Sequence, residues 1–338
     1  MDSTKFEGDT FKSTLSGIMG LGFQNISALR TPPFWQALDS QSVLSQPVFG
    51  FYLERYIDRV DKMITAPGGT LTLGGTNASL YTGDIEFIPM PDGTTPSYWL
   101  QQVQSKCVPC SSPGSFSCQS AVTAQGKSIS VPSNNGLAVI DTGTTLIGVP
   151  ASISQQIWAS VPDSVALDSP YEGMYAYRTY SSSIPTAMPH AMYLIWYTAC
   201  TTDVTITISF GGTNWSINPA DMNYSTIDVD GSQMCVGGIF DIPDVDSHIP
   251  GFPTWIIGEA FLKNVYSVFQ ADPPAVGFAR LASGVGDGAF VGPFECDDCL
   301  IGFVRRGVLG TSGGVGRSPS SASLSLLMLL LGWILVLI

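Results

Sequence analysis

Val139-Ile140-Asp141-Thr142-Gly143-Thr144-Thr145 is the stretch on which the reading of this chain turns. An apolar run, Leu137 to Ile140, delivers an aspartate into a Thr-Gly-Thr-Thr turn. Glycine at 143 lets backbone amides come close to the carboxylate. The hydroxyls of Thr142, Thr144 and Thr145 can hydrogen-bond locally. Donors aimed at a carboxylate favour its ionised form, so Asp141 is expected to be a poised base. The competing reading is an ordinary turn after a strand, where Asp, Thr and Gly are all frequent. The triplet alone does not decide between the two, and the surrounding sequence does.

That surrounding sequence is rich in short strands. Val48 to Leu53 (VFGFYL) is a β-rich run, and Thr70 to Leu73 alternates polar and apolar before Gly74-Gly75. Asp203 to Phe210 (DVTITISF) alternates with period two and ends at Gly211-Gly212, as a half-buried strand followed by a turn does. Helical stretches are short: Pro33 to Leu38, with Thr31 near its cap, and Ala151 to Val161, opened by Pro150. With 36 Gly, 23 Pro and only 12% charged residues in 338, the composition points to an all-β fold with many turns. After about Ala282 the pattern gives way to Gly- and Ser-rich sequence, so 284–314 reads as a stalk.

One short element occurs twice. Ile18-Met19-Gly20 sits inside Ser16 to Phe23, and Ile256-Ile257-Gly258 inside Trp255 to Leu262. Each is followed by a helix-like stretch and then by strands. An apolar-apolar-Gly triplet carries little alone, and the shared context gives the pair its weight.

Taken in order, these segments resemble the pepsin family of aspartic peptidases. Ser16-Gly17-Ile18-Met19-Gly20-Leu21-Gly22 is similar to the family's D-G-I-L-G-L-G element, with Ser where Asp is usual. Gly68 to Gly75 and Tyr81-Thr82-Gly83 resemble its G-x-L-x-x-G-G and Y-x-G pair, and Tyr98-Trp99 the start of its second lobe. Ala138 to Thr145 resembles its second active-site element, and Trp255 to Ala279 its closing segment. The resemblance covers residues 15 to 282.

It implies a bilobal all-β fold of pepsin-like aspartic protease type with a cleft between the lobes, the first lobe (1–95) incomplete and the second (96–283) complete. It implies a polypeptide substrate, Asp141 as a catalytic carboxylate, Thr144 and Thr145 near substrate backbone, Ile256 on the cleft wall and a Cys200–Cys235 disulfide. The family carries two Asp-Thr-Gly elements and this chain one. Asp2-Ser3-Thr4 and Asp9-Thr10 lack the following Gly and lie too close to Ile18 for an intervening flap hairpin. The expectation is therefore a front-truncated chain whose first catalytic Asp lies upstream of Met1, inactive as written. The alternative is a non-catalytic surface protein that keeps a pepsin-like second lobe. A monomer is expected, since the retained part-lobe would obstruct two chains each lending an Asp141.

Other signals concern the compartment. Sequons at Asn25, Asn77, Asn214 and Asn223, with seven Cys, favour a secretory route and a glycoprotein. Met1 to Glu7 has no basic or apolar region and is no signal peptide. From Leu324 to Ile338 the chain is apolar apart from Ser325, yet shorter than the roughly 20 residues of a spanning helix. With the polar spacer and Ser312-Gly313-Gly314 before it, 315–338 reads as a GPI-attachment signal with Ser312 as acceptor, or else as a short membrane tail. Cys107, Cys110 and Cys118 cluster, and Cys296 and Cys299 lie in the stalk. Disulfides are expected there in preference to zinc, with the pairings open. The net charge of −13 excludes a phosphate-backbone partner; it serves solubility and also suits acidic surroundings. His190 and His248 are isolated, and no P-loop, dinucleotide fingerprint or H-E-x-x-H occurs, so neither cofactor nor metal is expected.

Overall fold

The computed structural model describes residues 18–55, 68–109, 116–178, 202–242 and 252–286. These residues are mostly strand, with three short α-helices: α1 (Phe34–Ser40), α2 (Ala151–Trp158) and α3 (Glu259–Leu262). The all-β expectation holds. The fold that positions Asp141 is a five-stranded sheet in the order β17 (Ile239–Ile242), β10 (Ile147–Pro150), β18 (Trp255–Ile257), β9 (Leu137–Ile140), β4 (Leu100–Gln102). Strands β9 and β10 flank the active-site turn in sequence but are not neighbours in the sheet. Strand β18 lies between them, parallel to β9 (Ile257 opposite Ile140) and antiparallel to β10 (Ile257 opposite Ile147). Being covered on both faces, β9 and β10 read as continuous apolar runs instead of alternating ones.

A second five-stranded sheet is antiparallel throughout, in the order β2 (Gly69–Leu73), β1 (Val48–Leu53), β19 (Val265–Gln270), β20 (Ala275–Leu281), β3 (Tyr81–Pro89). It joins strands from both sides of residue 95. Val48 pairs with Gln270, and Phe87 with Gly277. Gly50 of β1 faces the Tyr266 phenol so closely that a Cβ there would sit 2.4 Å from its oxygen.

The core is heavily aromatic. Phe23, Trp35, Phe49, Trp99 and Phe269 form one cluster with ring centroids 4.4–5.7 Å apart. Their indole N–H groups do not go unpaired: Trp99 donates to Leu21 O at 2.9 Å and Trp35 to Gly22 O at 3.0 Å. Residues 21–23 are thereby stitched into the core. The helices expected near 33–38 and 151–161 are present with shifted ends. Helix α1 starts after Pro33 with no side-chain cap from Thr31, and α2 stops at Trp158. Asp203 to Val204 precede the strand, which runs Ile206–Ser209 and pairs with Asn214–Ile217 across the Gly211-Gly212 turn.

Cys107 and Cys118 face one another across a two-stranded ribbon, Lys106–Pro109 with Phe116–Gln119, and form a disulfide. Cys235 is also disulfide-bonded. Cys200, Cys110, Cys296 and Cys299 lie outside the described residues, as do the stalk beyond Gly286, Ser312 and the apolar tail. Among the described residues no helix is long and apolar enough to cross a membrane.

Candidate active site

Strand β9 ends at Ile140, and the next residue, Asp141, is 5% exposed. Its backbone N–H donates to Ile257 O at 3.0 Å, which ties the turn to β18. Gly143 N–H donates to Asp141 Oδ1 at 2.9 Å, and the Thr144 hydroxyl donates to Oδ2 at 2.6 Å. The turn therefore folds back on its own carboxylate, as the glycine and hydroxyl at these spacings allow. Gly143 and Thr145 are exposed, and Thr142 and Thr144 are half-buried.

The other side of the turn is gripped from behind. Thr144 O accepts the Glu259 N–H at 2.7 Å, and Thr145 O accepts the Ala260 N–H at 3.0 Å. These are first-turn amides of α3, which have no partner inside their own helix. Gly258, just before α3, is where the two segments touch. A Cβ there would lie 2.2 Å from both Thr144 O and Leu146 O, so only glycine fits.

The electrostatics differ from the sequence expectation of a poised base. Burial pushes the Asp141 carboxyl above the usual carboxylate range. The Thr144 and Gly143 donors pull it down but do not win, and the Glu259 charge adds to the rise. Asp141 thus holds its proton to higher pH than a free aspartate. The sequence offered backbone amides near Gly143 and three threonine hydroxyls, and the Gly143 amide and the Thr144 hydroxyl bond to the carboxylate. It could not show how little water reaches the carboxylate, because the sheet that holds the turn is completed by β18, more than a hundred residues later.

Of the other residues singled out, Ile256 is half-buried between fully buried Trp255 and Ile257. Asn25 lies exposed in the 3-10 turn Gln24–Ile26, where its amide donates to Pro96 O at 2.6 Å. Asn77 accepts from the Ser79 hydroxyl at 2.7 Å in a surface turn. Asn214 and Asn223 are half-buried at strand starts. Ile18-Met19-Gly20 is not in a strand, and Met19 is 47% exposed. Among the described residues no group of three or more His, Cys, Asp or Glu could hold a metal ion.

Two charged groups escaped the sequence reading. Glu259 follows Gly258 and pairs with Lys263 at 3.1 Å. Arg55, two residues past β1, is 5% exposed and paired with Asp221, a contact across 166 residues that no local pattern announces.

A family profile described as "Eukaryotic aspartyl protease" matches residues 1–281. "Major aspartyl peptidase 1" of Cryptococcus neoformans var. grubii is 35% identical over 80% of this chain and 48% of its own length. "Aspartic protease" of Phaffia rhodozyma is 28% identical over 81% and 54%, and human "Cathepsin D" 27% over 83% and 56%. The chain spans about half the length of these curated relatives. With an Asp-Thr-Gly turn that buries its aspartate between the strands that flank β18, and a profile match over most of its length, the chain belongs to the eukaryotic aspartyl protease family.

Proposed function

We propose that this chain supplies one catalytic carboxylate, Asp141, of a pepsin-type aspartic endopeptidase that cleaves polypeptides at acidic pH. The observation that carries the reading is a carboxyl 5% exposed, held by Gly143 N–H and the Thr144 hydroxyl, and kept protonated upward in pH by burial. Peptide hydrolysis by such a site needs two carboxylates that share one proton. One takes a proton from water as it attacks the scissile carbon, and the other protonates the carbonyl oxygen. The raised proton affinity of Asp141 suits the member that holds the shared proton.

Glu259, whose charge bears on Asp141, is ion-paired with Lys263. The second carboxylate comes from polypeptide that completes the first lobe, and the 338 residues alone do not cleave. In this reading 1–95 is a first-lobe remnant and 96–283 the second lobe. Thr144 and Thr145 meet substrate backbone, and Ile256 walls the cleft. The protein passes through the secretory pathway as a monomer, glycosylated at its sequons, with Cys200 bonded to Cys235. It reaches the cell surface through a lipid at Ser312 or a short tail.

The test is pepstatin-sensitive cleavage of denatured globin at acidic pH by the natural protein. It should vanish in an Asp141→Asn form, and a form that keeps it overturns the reading. A non-catalytic surface protein is the competing reading, favoured by the single Asp-Thr-Gly. It requires no such activity in any form.

A further inference from the structure

Behind α3 lies a buried polar hub that the proposed chemistry does not use. Asn264 is 5% exposed and all its side-chain positions are filled. Its Nδ2 donates to Asp221 Oδ2 and to Ala260 O, both at 2.9 Å. Its Oδ1 accepts from Arg55 Nη2 at 3.0 Å and from Asn218 N–H at 2.9 Å. Asp221, 9% exposed, receives Arg55 through Nε at 2.9 Å and Nη2 at 2.5 Å. Arg55 Nη1 also donates to Gly286 O at 2.7 Å.

Desolvating an ion pair costs most of what its attraction returns, so such a pair is weak support for stability. What it does here is fix geometry. Two segments distant in sequence converge on this amide in the turn after α3: the stretch just past β1, through Arg55, and the 3-10 turn Pro219–Met222 with its cap, through Asp221 and Asn218. That amide holds the carbonyl of Ala260, and the N–H of the same residue holds Thr145 O. Helix α3 has four residues, too few to keep its own shape. Its grip on the turn therefore depends on what holds its far end.

We propose that Asn264, locked by the Arg55–Asp221 pair, is a positioning residue for Asp141, acting through α3 on the Thr144–Thr145 turn. It rests on the proposed function only for the role of Asp141; the placement is testable without activity, so the two can fail separately.

The test uses the full chain, Asn264→Ser, Arg55→Lys, and Thr207→Val as control. The control removes a Thr123–Thr207 hydroxyl contact of 2.7 Å in another sheet. NMR would follow amide exchange and the Asp141 carboxyl titration. The charged groups that bear on that carboxyl, Glu259 and its partner Lys263, are kept in every form. Asn264→Ser and Arg55→Lys should lower protection at Gly143, Glu259 and Ala260 by about five- to ten-fold, the scale of one lost hydrogen bond. Amides of β20 should keep theirs. The Asp141 midpoint should fall as water reaches the turn, and the control should leave it in place. Unchanged protection and midpoint in folded variants overturn the proposal, and so does an even loss of protection along the chain. If Asn264→Ser does not fold, Arg55→Lys decides alone.

Discussion

Ile18-Met19-Gly20 and Ile256-Ile257-Gly258 are near-copies in sequence and unlike in the fold. The second forms the end of β18, pinned on both sides, with Ile257 fully buried and Gly258 against the active-site turn. The first is outside any strand, with Met19 47% exposed, and becomes anchored only from Leu21 onward, where the aromatic core takes hold. An apolar-apolar-Gly segment has no strong preference for either state. At 256–258 it enters a buried strand because β9 and β10 pair with it on both sides.

Substitutions at matched positions should separate the two elements, and the largest gap is expected at the central residue. Ile257→Ala empties a fully buried position between β9 and β10 and should cost about 2–5 kcal/mol. Met19→Ala should stay within about 0.5 kcal/mol, as exposed substitutions do. Urea midpoints of the two variants measure the difference, and equal losses would mean that Met19 is packed as Ile257 is. The glycines should differ in the same sense by less. Gly258→Ala pushes a methyl onto two backbone oxygens and should cost about 1–3 kcal/mol, with Gly20→Ala nearly silent.

These expectations also show what was legible beforehand. Gly143 and Thr144 bond to Asp141 as their spacing suggested, because a turn is a local matter. Strand β1 and the hairpin from Ile206 to Ile217 were equally visible in periodicity. The raised proton affinity of Asp141 was not, since burial causes it, and burial is set by the assembled fold and not by the residues of the turn. Nor was the Arg55–Asp221 pair, whose partners sit in segments that look polar and unremarkable. Local chemistry was readable, and dielectric and long-range pairing had to be seen.

A finer test concerns that proton affinity, which the Ile18 region has nothing to match among the described residues. The folded chain binds the Asp141 proton more tightly than the unfolded chain does. Between the ordinary carboxylate range and the raised folded value, the folded state therefore carries more protons, and stability falls as pH rises through that window. Asp141→Asn removes the penalty, and its amide can still meet Gly143 N–H and the Thr144 hydroxyl. It should melt higher than the parent at neutral pH, and the gap should close as pH drops into the ordinary carboxylate range. A constant gap would put the cause elsewhere. The smallest effect is expected from Glu259→Gln. It should lower the Asp141 titration slightly and cost about 0.3–0.5 kcal/mol through the lost pair with Lys263. Carboxyl NMR and thermal melts read the two.

The most direct measurement is the simplest. The purified 338-residue chain is incubated with denatured globin at acidic pH, with and without pepstatin. One carboxyl in a well-formed turn should give no pepstatin-sensitive cleavage. Cleavage that pepstatin stops and Asp141→Asn abolishes would contradict the account, because the chain would then hold a complete acid pair.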